Sequence, residues 1–224
     1  MIMLENYGIN IYNRDCLEAM REMPDNAFDL AIVDPPYFKG VANESFYGAE
    51  KSTTGIKRKR SKSQHWDNNI PCINYYKELI RVSKNQIIWG INYFDFGFVG
   101  SGRIIWDKEN DSSTFSKAEI ASCSIIDSVQ MFRFMWNGML QGDMKNKWIA
   151  DHPSPKPPQL YKWLLDKYAK EGDKILDTHL GSGSIAIASY EYSFNLTGFE
   201  LDTDYFNAAK QRIENHIQSH PKLF

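Results

Sequence analysis

No stretch of this chain approaches the roughly 20 consecutive apolar residues that a bilayer-crossing helix needs, so nothing in it reads as a membrane span. Cysteine is scarce. Cys16, Cys72 and Cys123 are odd in number and scattered, which excludes a disulfide framework and offers no zinc-ligand spacing. No metal is expected. The opening residues Met1-Ile2-Met3-Leu4-Glu5 lack the basic region and long apolar stretch of a secretory signal. These features together predict a reducing, cytoplasmic setting. Internal repeats and low-complexity tracts are missing too. So is a large charge imbalance: the formal net charge is −2, which does not by itself advertise a polyanion binder.

What is present suits one α/β domain over 1–224, with an apolar fraction of 42% to build its core. Apolar runs predict strands at 9–12, 28–33, 86–90, 103–106, 118–126, 174–177 and 196–200. Helices are predicted between them. Asp15 with Glu18 three residues on resembles a capping box, and Pro24 ends the helix it opens. A second helix covers about 72–83, with Ile73, Tyr76, Leu79 and Ile80 inward, and a third about 157–171, with a stripe of Leu160, Trp163, Leu164 and Tyr168. An Ala-rich helix at 185–192 and a last one at 203–217, with Tyr205, Ala209, Ile213 and Ile217 inside, complete the set. Residues 38–71 show no sustained period and read as a long excursion from the sheet. Residues 127–150 are aromatic and Met-rich with little period.

The stretch Asp34-Pro35-Pro36-Tyr37 closes the apolar run Phe28-Asp29-Leu30-Ala31-Ile32-Val33. Open α/β sheets bind ligands at the carboxyl ends of their strands. Two prolines fix φ and carry no N–H, so the chain must leave the ladder stiff and extended. Asp34 and the Pro35 carbonyl are then two acceptors beside the flat face of Tyr37, a set suited to a planar base with an exocyclic amino group. Taken alone, the four residues fit a tight turn with a capping Asp equally well.

Later in the chain, Gly181-Ser182-Gly183-Ser184 follows the strand ending at Asp177, and Glu200 ends the next strand. This pattern meets the loose dinucleotide fingerprint and admits either a nicotinamide dinucleotide or S-adenosylmethionine, since both present a ribose diol to a carboxylate. Asp177 favours the second. A carboxylate before the Gly turn suits a cationic amino group and repels a pyrophosphate.

Lys51, Lys57, Arg58, Lys59, Arg60 and Lys62 place six cations and no anion in residues 51–62. A concentrated basic segment on an otherwise acidic chain fits a local polyanion contact, or a solvated surface loop.

Three motifs in one order resemble the S-adenosylmethionine-dependent amino-methyltransferases of DNA: Asp34-Pro35-Pro36-Tyr37, then His152-Pro153-Ser154-Pro155-Lys156-Pro157, then Asp177-Thr178-His179-Leu180-Gly181-Ser182-Gly183-Ser184. The catalytic motif precedes the cofactor loop, as in the circularly permuted β group, and phage and mobile-element adenine-N6 members look closest. The likeness also takes in Trp89-Gly90, Trp106-Asp107-Lys108 and Phe115-Ser116. It implies a Rossmann-like sheet of seven strands, mostly parallel with one antiparallel strand near an edge. It implies methyl transfer from S-adenosylmethionine to adenine N6 in double-stranded DNA after base flipping, in a restriction-modification setting, with cytosine N4 as the alternative base and a non-catalytic DNA-binding protein on the same fold as the other alternative. Catalysis would fall to Asp34, Pro35, Pro36 and Tyr37, the last stacking on the flipped base. Cofactor contacts would come from Asp15, Cys16, Asp34, Ser154, Lys156, Asp177, Thr178, His179, Gly181, Ser182, Gly183, Ser184, Glu200 and Leu201. Lys57, Arg58, Lys59, Arg60 and Lys62 would meet phosphates, and Trp66 would fill the gap left by the base. His179 stands where many members carry Phe. The region left for target recognition, about 107–150, is short, which implies a short recognition sequence or a dimeric surface.

Overall fold

The computed structural model describes residues 2–4, 7–36, 71–95, 99–111, 116–136, 140–145, 147 and 155–222. Nine strands form one sheet: β1 (Ile2–Leu4), β2 (Ile9–Asn13), β3 (Phe28–Val33), β4 (Ser83–Trp89), β5 (Gly102–Asp107), β6 (Ala118–Cys123), β7 (Val129–Arg133), β8 (Lys174–Asp177) and β9 (Asn195–Glu200). Their spatial order is β1-β2-β9-β8-β3-β4-β6-β5-β7. From β2 to β4 every neighbouring pair is parallel. β6 runs antiparallel to both β4 and β5, β7 is parallel to β5, and β1 is antiparallel to β2.

Among the described residues five α-helices cover the two faces: α1 (Cys16–Arg21), α2 (Ile73–Val82), α3 (Pro158–Tyr168), α4 (Ser184–Tyr192) and α5 (Thr203–Ser219). β3 shows why its sequence is continuously apolar from Leu30 to Val33. Leu30 and Ile32 point into the core under α3, α4 and α5, whereas Ala31 and Val33 point into the core under α1 and α2. A strand covered on both faces loses the alternation that a half-exposed strand keeps. Each fully buried Leu or Ile of this sandwich contributes about 1.5–3 kcal/mol.

All seven predicted strands are present, and the sheet gains two. β1 is apolar but only three residues long, and β7 is an edge strand with half-covered side chains whose apolar residues are broken by Gln130, so neither stands out as a strand. β4 starts at Ser83 rather than 86, directly after α2. Its polar opening is held from outside: Lys84 Nζ lies 2.7 Å from Asp29 Oδ1, and Asn85 Nδ2 donates to the Asp29 carbonyl at 3.3 Å.

Two helix faces differ from the periodicity reading. On α2 the buried side chains are Tyr75, Tyr76, Leu79 and Val82, while Ile73 and Ile80 are 45% and 47% exposed. The inward stripe is therefore turned by one residue, and the two large tyrosines set it. On α3, Leu160, Tyr161, Leu164 and Leu165 are buried, and Trp163 and Tyr168 sit at the rim, with Trp163 against Phe132 of β7. α3 stops at Tyr168, before the expected 171. The predicted interior of α5 is observed as read.

Gly102, at the start of β5, has no room for a side chain: an added Cβ would lie 2.1 Å from the Ile126 carbonyl oxygen and 2.6 Å from that of Cys123. Both obstacles are backbone, so Gly102→Ala is expected to destabilise the fold by about 1–3 kcal/mol. Urea unfolding would show this as a lowered midpoint with an unchanged slope; an unchanged midpoint would contradict it.

Candidate active site

The parallel strands bring their carboxyl ends to one edge of the sheet. Asp15 follows β2, Glu200 ends β9, Asp177 ends β8, Asp34 follows β3 and Trp89 ends β4. β6 runs the other way, so it is its amino end that reaches this edge. Glu119 sits there, opposite Trp106, next to the Asp107-Lys108 end of β5.

Lys156 arrives from the Pro-flanked segment before α3, where Pro157 is the N-cap residue. Its side chain is 2% exposed. The ammonium pairs with Asp34 Oδ2, lies 2.9 Å from Glu119 Oε2, and stands 5.5 Å from the centre of the Trp89 ring. Lys108 Nζ takes the other Glu119 oxygen at 2.5 Å and lies over the Trp106 ring. Two carboxylates and two ammonium groups thus alternate as Asp34–Lys156–Glu119–Lys108. Asp34 Oδ1 is buried with no hydrogen-bond partner among the described residues.

The electrostatics follow from this order. Burial pushes the Asp34 carboxyl up, Lys156 opposes the rise, Glu119 adds to it, and the net is upward. Burial would push Glu119 up as well, but Lys156 and Lys108 outweigh it and hold Glu119 down at about 2. For Lys156, burial disfavours the charged form, and Asp34 and Glu119 more than restore it.

On the other side of Asp34 lies the Gly turn. Asp177 is 2% exposed, and burial lifts its carboxyl to about 8, with Asp34 and Glu200 adding to the rise. Its Oδ1 accepts the His179 N–H at 3.0 Å. No ion pair to Asp177 forms among the described residues. Thr178 Oγ1 lies 2.6 Å from the Tyr75 hydroxyl and 2.9 Å from His179 Nδ1, and the Tyr75 and His179 rings meet edge-on. Burial takes His179 down to about 4, so the ring is neutral at pH 7. Glu200 accepts two backbone N–H groups, from Gly181 at 2.9 Å and Asp202 at 3.0 Å. Gly183 has φ +75°, and a Cβ there would lie 3.3 Å from that of Ala209. The turn therefore packs directly on α5. Ser182 and Ser184 hydroxyls are 3.1 Å apart, and Arg212 donates to the Ser182 carbonyl and the Ser184 hydroxyl.

Asp15 Oδ1 accepts the Glu18 N–H at 2.9 Å and caps α1 as predicted. Cys16 beside it is half-buried, and burial raises its thiol to about 12. Pro35 is buried, Pro36 half-buried and Leu201 exposed. Tyr37, Ser154, Lys57, Arg58, Lys59, Arg60, Lys62 and Trp66 lie outside the described residues. The structure adds members that pattern reading does not single out, Glu119, Tyr75 and Arg212, and brings Lys108, which the likeness takes in, against the first of them. A lone carboxylate inside the strand Ala118-Glu119-Ile120-Ala121-Ser122-Cys123 is the signal that could have found the first.

A family model described as DNA methylase matches residues 129–211, which hold Lys156, Asp177 and Glu200 but not Asp34. Type II methyltransferase M2.DpnII of Streptococcus pneumoniae is 22% identical over 242 residues, covering 91% of this chain and 89% of that protein. Type II methyltransferase M2.MboI of Moraxella bovis is 25% identical over 248 residues, covering 93% and 88%. The crystal structure of the M1.HpyAVI–SAM complex shares the fold with a TM-score of 0.55 at 20% identity, covering 91% of this chain and 99% of its own. PvuII DNA methyltransferase, cytosine-N4-specific, does so with 0.57 at 11%, covering 94% and 93%.

The Asp177 carboxyl gives a pH prediction. A folded-state value raised to about 8, above an unfolded value of about 3.9, supports the fold below pH ~4 and loses that support as pH climbs through about 8. The stability of Asp177→Asn relative to the unmodified chain should therefore rise steadily from pH 4 to 8. Urea midpoints across that range measure it, and a pH-independent difference would refute the assignment.

Proposed function

From its likeness to the S-adenosylmethionine-dependent DNA methyltransferases, we propose that this chain methylates an exocyclic amino nitrogen of a DNA base, with adenine N6 as the target. The observation that carries the reading is Asp34 Oδ1, a buried acceptor without a partner among the described residues, at the ligand-binding edge of the sheet. An amino group on a purine or pyrimidine is a poor nucleophile because its lone pair is delocalised into the ring. Asp34 and the Pro35 carbonyl accept its two hydrogens, draw the nitrogen toward tetrahedral geometry and stabilise the positive charge that develops on it. Positioning supplies much of the rest of the rate.

The residues present fit the cofactor. Asp177 is a buried carboxyl raised to about 8, and the methionine ammonium supplies the cation that would favour its anion. Glu200 is fixed by two backbone donors and keeps lone pairs for a ribose diol. Neutral His179 offers an apolar face where relatives carry Phe. S-adenosylmethionine itself supplies an activated methyl on a sulfonium. Tyr37, Ser154 and Trp66 keep their proposed roles on the base, the cofactor and the duplex, and the cations of 51–62 their role on phosphates, which is salt-dependent and sequence-blind. Asp at the first motif position favours adenine; the likeness to the cytosine-N4-specific PvuII fold makes N4-methylcytosine the second outcome to look for.

Nucleoside mass spectrometry of unmethylated duplex DNA, incubated with the protein and S-adenosylmethionine, tests the reading. N6-methyladenine should accumulate, and Asp34→Ala should lower its rate by about 10²–10³-fold or more. N4-methylcytosine would keep the chemistry and change the base. No methylated base on DNAs of varied sequence would refute the activity.

A further inference from the structure

We propose that Lys156 and Glu119 are positioning residues for the reaction: together they hold Asp34 by its Oδ2 so that Oδ1 faces the substrate amino group. The inference rests on the amino-methyltransferase reading, but its structural content does not depend on which base is methylated. Asp34 follows directly on a strand and precedes two prolines, so its backbone is stiff while its carboxylate could still rotate about χ2. The Lys156 contact to Oδ2 removes that freedom. Lys156 is itself restrained, because Glu119 Oε2 holds its ammonium at 2.9 Å and the Trp89 ring lies on another side. Glu119 is in turn fixed through its second oxygen by Lys108. Lys156 Nζ bridges the two carboxylates and Glu119 uses one oxygen for each lysine, while Asp34 Oδ1 is left with no hydrogen-bond partner among the described residues.

The antiparallel course of β6 is what makes this possible. A parallel strand in the same place would put its carboxyl end at the edge and bury Glu119 elsewhere. The arrangement also explains why Lys156 sits between two prolines, which fix its approach from the N-terminal side of α3.

The charged and titratable groups facing Asp34 are Lys156 before α3, Glu119 on β6, Lys108 after β5, Asp177 on β8 and Tyr161 on α3. Lys156 favours the Asp34 anion and Glu119 disfavours it, so their removal must act in opposite directions. Lys156→Met should move the Asp34 titration midpoint up, and Glu119→Gln should move it down. Lys156→Arg, which keeps the charge, should return the midpoint toward that of the unmodified chain.

The test is a carboxyl-carbon NMR titration of the full chain labelled at aspartate, with the Asp34 signal identified by its loss in Asp34→Asn. It is run beside steady-state methyl transfer. Lys156→Met is expected to lower kcat about 10²-fold with little change in KM for S-adenosylmethionine, and to recover part of the rate as pH rises through the new midpoint. An Asp34 midpoint that stays still, or moves the same way in both variants, overturns the proposal. So does a loss confined to KM for S-adenosylmethionine, which would place Lys156 on the cofactor. If the unmodified chain methylates no DNA, the reaction reading fails by that result, while the NMR midpoints still decide whether the pair governs Asp34.

Discussion

An ammonium group shut away from water has to be matched by carboxylate, and at Lys156 this requirement ties three separate parts of the chain together. The penalty for burying an isolated ion amounts to several kcal/mol even after relaxation. Lys156 meets it with Asp34 from the end of β3 and Glu119 from the start of β6. The second carboxylate creates its own need, and Lys108 from the end of β5 answers it. Such an alternating series is weak as a source of stability, since well-packed apolar groups of the same volume often do as well. Its value lies in geometry. Four charges that neutralise each other in one order cannot be rearranged without stranding one of them in a low-dielectric interior.

The sheet supplies the platform on which this works. Five parallel strands in the order β2-β9-β8-β3-β4 put Asp15, Glu200, Asp177 and Asp34 along one edge, with Trp89 at its end. The half that holds the Gly turn is built mostly from backbone: Glu200 is fixed by N–H groups of Gly181 and Asp202, and Asp177 by that of His179. The half around Asp34 is built from side-chain charge. The division has a chemical logic. On the proposed reading, a cofactor of constant shape is well served by rigid amides and carboxylates, whereas a base would be gripped at an amino group whose charge changes during reaction.

How much of this is legible without coordinates depends on whether a residue's neighbours are near in sequence. The seven strands were readable because each is covered on at least one face and shows it as an apolar run or, as at 9–12, as alternation. β7 was not, because an edge strand with half-exposed side chains has no such signature. Asp34, Asp177 and Glu200 were readable because each ends a strand, and strand ends in open α/β sheets are where ligands bind. Lys156 was readable as a site residue through its motif, but its partner Glu119 was not. Glu119 lies 37 positions away, and only the antiparallel pairing of β6 brings it to the edge. The face of α2 was misjudged for a related reason: Ile73 and Ile80 are as apolar as the residues that are buried, and the deciding contact, Tyr75 to Thr178, spans 103 positions.

Asp177 and Asp34 show how one sheet edge gives two carboxyl groups different tasks. Asp177 is buried and Asp34 half-buried, and desolvation raises both. Asp177 has a backbone N–H but no cation among the described residues, and it rises to about 8, so it stays ready for a cation that brings its own charge. Asp34 has Lys156 bound to one oxygen, which opposes its rise and leaves the other oxygen as an acceptor. On the proposed reading Asp34 receives hydrogens from a neutral amine, which brings no charge to induce the anion. The Lys156 ammonium favours that anion from within the protein. It also explains why the lysine is enclosed rather than solvated: in water the same pair would be screened and would orient nothing.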